Sequence, residues 1–269
     1  RVLFRSNKTK YFAKFDWSRI SNPKMDFPAN DENIEKVIEK EKQAVEEIKK
    51  AFAENKDDIA GIIIEPIQGE GGDNHFRSEF LQQLRDLADE NDTLLIFDEI
   101  QTGVGITGKM WAYQHLGVVP DIMCFGKKMQ VCGIAVTERI DEVSDNVFHV
   151  SSRINSTWGG NLTDMARSTK YLEIIEEDNL IQNAGDMGQV IMNNLKKLEG
   201  SFPQVISNVR GRGMFCAFDL PDAEFRNKLR NSCFEEGLFI LPCGEKSIRF
   251  RPALNISEMN INEGFEIIE

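Results

Sequence analysis

Apolar residues recur along this chain with two alternating periods. Between Asn33 and about Asn55, Ile34, Val37, Ile38, Val45, Ile48 and Phe52 fall mostly on one face at helical spacing. They predict an amphipathic helix, with Asp31 placed to cap it. Ala60–Ile64 is a short β-branched run and predicts a buried parallel strand. It ends in Glu65-Pro66 and the glycine-rich Gln68-Gly69-Glu70-Gly71-Gly72. A second helix starts at Ser78 with Phe80, Leu81, Leu84 and Leu87 on its stripe, and a second strand, Thr93–Phe97, follows. Helix, strand, helix, strand is the alternation of an α/β sheet protein.

Farther on, the pattern predicts a short helix within 106–117, strands at Ile122–Phe125 and Gly133–Thr137, and long helical sequence over roughly 162–200. Beyond Pro203 the character changes. Val205–Asn208, Met214–Asp219, Leu238–Leu241 and Ile248–Phe250 predict short strands around a helix at 222–236, an α+β unit. The change of domain falls near 165–200. Residues 7–30, polar and carrying Pro23 and Pro28, predict an irregular connection. Arg1–Ser6 has neither a methionine nor cap or turn logic and is expected to be a non-native leader; Gly264–Glu269 stops inside a helical pattern. Both ends have the look of a fragment.

Composition narrows the function classes. The chain has 269 residues, 41% hydrophobic and 28% charged, which suits a globular protein with a sizeable core. A net charge of −12 disfavours nucleic acid or an anionic membrane as partner, since both reward clustered Lys and Arg. The five cysteines form no CxxC pair and there are three histidines, so neither a zinc site nor a disulfide framework is expected. Reduced thiols in a cytoplasmic protein are the default expectation. No apolar run approaches a membrane span, and no signal-peptide pattern opens the chain.

Candidate chemistry concentrates between residues 95 and 133. The run Leu94–Phe97 delivers Asp98-Glu99 at its end, and the run Ile122–Phe125 delivers Lys127-Lys128 after Gly126. Ligands of open α/β sheets sit outside the carboxyl ends of the strands, so this aspartate and these lysines face one crevice. A lysine to form a Schiff base and an acid to keep a pyridine nitrogen protonated are what pyridoxal phosphate chemistry requires. Taken alone, two solvated lysines in a turn are the commoner meaning of such a segment. A buried Asp98 needs a positive partner, but could also be a helix cap or a magnesium ligand; the magnesium reading lacks a Walker-A loop. Glu99 is expected to be structural. Gln68–Gly72 offers backbone that can approach a ligand, with Glu70 in its middle. Thr157, beside Gly159-Gly160, could bind a phosphate or sit in an ordinary turn. Arg249 and Arg251 alternate along a strand and share one face, either to bind carboxylates or as a charged outer surface. Arg210 and Arg212 admit the same two readings.

In order and spacing, EPIQGEGG, FDEIQTGVGITG, DIMCFGKKMQVCG, NSTWGGN, VRGRGM and IRFRP resemble the class III (subgroup II) pyridoxal-phosphate aminotransferases over nearly all of residues 7–269. Within that family GKKMQVCG, SSRINSTWGGNLTD and FDW are most like the lysine ε-aminotransferase branch. The resemblance implies a fold-type I transferase. It would have a mostly parallel large-domain sheet (partial, residues 7–165), connecting helices (166–200) and a C-terminal α+β small domain (201–269), after the leader 1–6. It implies pyridoxal 5'-phosphate as cofactor. Lys127 would be the Schiff-base lysine, because the family's lysine directly follows a small residue, with Lys128 as the fallback. Asp98 would pair with the pyridine nitrogen, Gln101 would bond the ring hydroxyl and Ile100 would pack on the ring. Thr157 would bind the phosphate of the neighbouring subunit, which makes a homodimer with shared sites the expected assembly. Arg249 would take the substrate α-carboxylate, Glu70 would pair with Arg249 and swing away as substrates exchange, and Asn155 would line the substrate site. The implied reaction moves the terminal amine of L-lysine to 2-oxoglutarate.

The sequence departs from the family in lacking its N-terminal portion. With that go a Gly/Ser phosphate loop, an aromatic that stacks on the ring and part of the sheet, leaving strand edges open. Rival expectations are a 4-aminobutyrate or ornithine aminotransferase, an aminomutase or racemase of the same fold, and an inactive fragment.

Overall fold

The computed structural model describes residues 10, 11, 13, 15–154 and 157–269; the expected leader, Arg1–Ser6, lies outside them. Helix α1 spans Asp31–Glu54. Its cap is Asn30, whose extended backbone lets the side chain accept from Asn33 N–H at 2.9 Å. Asp31, the expected cap, is instead in the first turn with Glu32, where both carboxylates face the positive end of the helix dipole. The buried face carries Val37, Ala44, Ile48 and Ala51, together with Glu41, whose charge is gripped by both nitrogens of the Arg77 fork. Helix α2, Ser78–Glu90, buries Phe80, Leu81, Leu84 and Leu87 as its stripe predicts.

These two helices cover one face of a four-stranded sheet in the order β1-β4-β5-β6. Strands β1 (Gly61–Ile64), β4 (Leu94–Asp98) and β5 (Ile122–Phe125) run parallel, and β6 (Gly133–Val136) returns antiparallel. In β4, Leu95 and Phe97 are fully buried against the helices while Leu94, Ile96 and Asp98 face the other way. Strand β1 is parallel as expected, but it is not buried. Among the described residues it pairs on one side only, and Ile63, on the face away from the helices, is 65% exposed. A two-residue hairpin pair, β2 (Ile67–Gln68) and β3 (Asn74–His75), follows β1.

The helical stretch near 162–200 forms two helices, α4 (Leu162–Glu177) and α5 (Leu180–Ser201), after the short α3 (Tyr113–Leu116). The break is at Asn179, whose backbone is left-handed at φ 52°. The second sheet is wholly antiparallel, ordered β7-β8-β10-β9. It comprises β7 (Ser207–Arg212), β8 (Phe215–Asp219), β9 (Leu241–Cys243) and β10 (Ser247–Phe250), with α6 (Ala223–Glu235) and α7 (Glu258–Ile268) beside it. Two strands are shifted from their expected places. Val205 and Ile206 give their N–H groups to Phe202 O and close α5, so β7 begins later and takes in Val209–Arg212. Leu238 N–H closes α6 on Cys233 O, so β9 begins only at Leu241, and its Pro242 is tolerated on an edge strand.

Helix α5 buries Ala184, Ile191, Leu195 and Leu198 on this sheet, and Gly188 brings helix and turn backbones together: a Cβ there would sit 2.1 Å from Gly213 C. The core around Met214, Phe215 and Phe218 also takes in Ile67, Ile106 and Ala112 from the first half of the chain. Apolar packing therefore ties the second sheet to segments from the first half of the chain. All five cysteines are unpaired. Among the described residues no helix is long and apolar enough to cross a membrane.

Asp121 fixes the far end of the first sheet. It is 6% exposed, accepts from Leu95 N–H at 2.7 Å, and pairs with Arg85 at 2.8 Å. Asp121→Ala strips that N–H of its acceptor and leaves Arg85 with Asp89 alone, 2.6 Å away, and should lower stability by about 2 kcal/mol in urea unfolding. A change below about 1 kcal/mol would contradict this role.

Candidate active site

The carboxyl ends of β1, β4 and β5 open toward one edge of the first sheet, and β10 of the second sheet meets them there. Between them lies a cavity of 890 Å³ lined by Glu70, Asp98, Ile100, Gln101, Lys127, Lys128, Arg249 and Arg251, among others.

Strand β4 presents Asp98, whose Oδ1 accepts from Ile100 N–H at 3.0 Å and so aims the turn that follows. Glu99 points the opposite way. It accepts from Thr102 Oγ1 and from the N–H groups of Ala112 and Tyr113, tying this turn to the start of α3. Burial pushes its carboxyl up, against hydrogen bonds that favour the charge. Glu99 is thus structural, as the sequence suggests.

Strand β5 leads through Gly126 into a 3-10 turn, Lys127–Met129. Lys127 is exposed toward the cavity and its backbone is left-handed at φ 50°. Strain of this kind in a residue other than glycine persists only where the surroundings enforce it. Lys128 turns inward and gives its Nζ to Gln101 O at 2.8 Å. Burial, with Arg251 and Lys127 nearby, pulls its ammonium from an ordinary 10.5 down to about 8.

The loop after β2 brings Glu70, whose Oε2 lies 3.0 Å from Arg249 Nη2. Gly244 N–H donates to Glu70 O and holds this loop against the second sheet. Arg249 Nη1 and Arg251 Nη2 both donate to Gln101 Oε1, at 3.2 and 3.3 Å. The two arginines therefore do share a face. Room for the Gln101 amide exists because Gly69 has no side chain; a Cβ there would lie 2.3 Å from it. Arg251 also pairs with Asp73 at 2.5 Å, and its Cζ lies over the Phe215 ring, 3.3 Å from its centre. Arg249 Nε and Arg251 Nε are buried without a hydrogen-bond partner.

Not every expected residue comes to the cavity. Thr157 is exposed and outside its lining, and Asn155 lies outside the described residues. Arg210 is buried and bonded to backbone and to Asp219, so it neither faces the cavity nor forms a charged outer surface. Conversely, Asp73, Tyr171 and Ile174 carry no mark in the sequence pattern: Asp73 follows a glycine pair, and the other two sit in ordinary helical sequence. Toward the ring of pyridoxal phosphate the donor set fits. A carboxylate, an amine, a side-chain amide and a branched aliphatic residue converge, beside two guanidinium groups with unused donors.

The family profile for Aminotransferase class-III matches residues 5–269. The chain is 49% identical to the L-lysine-epsilon aminotransferase of Streptomyces clavuligerus over 97% of its length and 57% of that protein's. It is 39% identical to the mitochondrial 4-aminobutyrate aminotransferase of Sus scrofa, over 89% of this chain and 48% of that one. Among solved structures, lysine aminotransferase from M. tuberculosis matches with a TM-score of 0.94 at 46% identity, covering 98% of this chain and 60% of that one. Acetylornithine aminotransferase from Elizabethkingia anophelis matches at 0.74 and 28%, covering 83% and 56%. The chain thus spans about half the length of the curated relatives it matches.

The Lys128 environment has a direct readout. Folding lowers this pKa, so the buried ammonium destabilises the fold below about pH 8, and that penalty fades as pH rises toward 10.5. In competitive acetylation followed by peptide mass spectrometry, Lys128 should reach half-maximal reactivity near pH 8. A midpoint shared with the exposed lysines would contradict the burial.

Proposed function

The chain belongs to the class-III aminotransferases, and from that premise we propose that its cavity is the active site of an L-lysine 6-aminotransferase. The enzyme transfers the terminal amino group of L-lysine to 2-oxoglutarate and forms 2-aminoadipate 6-semialdehyde and glutamate. The observation that carries this reading is the convergence of Asp98, Gln101 and Lys127 with the Glu70–Arg249 pair around one cavity. The choice of lysine as amine is supported by 49% identity to relatives named for lysine against 39% to one named for 4-aminobutyrate.

Bound, pyridoxal 5'-phosphate supplies an electron sink for the carbon that carries the substrate's amine. The rest falls to the chain's own groups. Asp98, a carboxylate at a strand end, would favour the proton on the pyridine nitrogen. Gln101 would donate to the ring's hydroxyl oxygen and Ile100 would pack against the ring. Lys127 would hold the cofactor through its Nζ; with substrate in place the same Nζ would take the proton from Cε of lysine and pass it on within that half-reaction, and in the second it would deliver a proton to Cα of the glutamate formed. Lys128 is less suited, since its Nζ is already committed to Gln101 O. Arg249 binds the α-carboxylate of 2-oxoglutarate and glutamate through a bidentate fork. When lysine enters with its far end, no carboxylate reaches that point, and Glu70 holds the guanidinium instead. Asn155 is proposed to contact substrate.

Two further features support a homodimer with shared sites and a cytoplasmic setting. Thr157, proposed on the phosphate of the neighbouring copy, is exposed, and so is the apolar Trp158 that follows it. The free cysteines suit a reducing compartment.

Reduction of the protein with borohydride in the presence of pyridoxal phosphate should place the label on Lys127, and Lys127→Ala should abolish it. Label on Lys128, or scattered over surface lysines, would overturn the assignment. Glu70→Ala should slow one half-reaction more than the other in single-turnover absorbance. Equal losses would argue against a movable Glu70. Turnover of 4-aminobutyrate or ornithine in preference to lysine would reassign the substrate.

A further inference from the structure

We propose that Arg251 is a positioning residue: together with Asp73 and Phe215 it locks the side-chain amide of Gln101, oxygen toward β10 and NH2 toward the cavity. A guanidinium has donors only, so of the two ends of an amide it can accept only the oxygen. Gln101 Oε1 receives two such donors, from Arg249 and Arg251, and a flipped amide would set its NH2 against two cations. No hydrogen bond is made by Gln101 Nε2 among the described residues, and this side chain lines the cavity.

The two arginines are not equivalent as clamps. Arg249 is shared with Glu70, at 3.0 Å, and on the reading above must turn to a substrate carboxylate. Arg251 is fixed from several directions. Its Nη2 meets Asp73 Oδ1 at 2.5 Å, its Nη1 donates to Phe250 O at 2.6 Å, and its Cζ lies over the Phe215 ring. Asp73 is itself enclosed: it is 0% exposed, left-handed at φ 48°, and its carbonyl accepts from Arg210 Nε. Arg251 therefore keeps the Gln101 amide in one state while Arg249 exchanges partners. The NH2 so presented suits an oxygen acceptor in the cavity. Its value to the cofactor's ring oxygen rests on the proposed function; the lock itself does not.

The test reads the amide directly. In protein labelled with 15N-glutamine, the Gln101 side-chain resonance is assigned by its loss in Gln101→Leu. Arg251→Met and Asp73→Asn should both move it to the position of solvent-exposed glutamines and leave the other glutamine resonances in place. Arg251→Lys, a gentler change that keeps the charge beside Asp73 but lacks the fork, should move it in the same direction. An unmoved Gln101 resonance in Arg251→Lys and Arg251→Met overturns the proposal. Addition of pyridoxal phosphate to the parent should perturb the same resonance. Dependence on Arg251 without any response to pyridoxal phosphate would support the lock and contradict the proposed cofactor site.

Discussion

Arg210 is the residue through which the glycine loop between β2 and β3 and strand β10 of the second sheet become two walls of one cavity. It lies on β7, 3% exposed, and spends its donors across the junction. Its Nε and Nη2 hold the carbonyl oxygens of Asp73 and Gly72, at 3.0 and 2.6 Å, while Nη1 and Nη2 bond Asn208 O and Ser247 Oγ. Its charge is met by Asp219 at 2.9 Å. Burial alone would push the Asp219 carboxyl up, but Arg210, Ser247 and Asn208 together hold it below the usual range. A buried charge with every hydrogen bond made is tolerable, and one stripped of its partners is strongly destabilising. The junction is therefore held or lost as a unit.

The cavity inherits its order from that junction. With Gly72 and Asp73 fixed, the carboxylate of Asp73 faces Arg251 and that of Glu70 faces Arg249. Both arginines then reach Gln101, which follows the strand that ends in Asp98. Lys128 pins the Gln101 carbonyl from the third strand end and leaves Lys127 toward the open space. The apolar share is similar in kind: Ile67, Ile106 and Ala112 belong to the same core as Met214 and Phe215.

Much of this can be read in the sequence where the signal is local. Helical spacing marks α1 and α2, and apolar runs mark β4 and β5. The rule that ligands gather at the carboxyl ends of parallel strands brings Asp98 and the lysines together. Local signals fail where a distant partner decides. Asn30 rather than Asp31 caps α1 because of the backbone conformation at the entry, which residue type alone does not fix. The apolar run at Ile62–Ile64 resembles a buried strand, yet its neighbours place it on an edge. Arg210 and Arg251 look alike in their segments. One is absorbed by carbonyls 137 and 138 residues away and the other reaches the cavity, and no spacing rule separates them.

Hydrogen exchange on the chain and on Arg210→Met tests the junction most directly. The expected outcome is that 69–74 and 247–250 lose protection together, while β4 exchanges as in the parent. Unchanged protection in both segments, or loss in only one of them, would contradict Arg210 as the residue on which the junction between the two walls of the site depends.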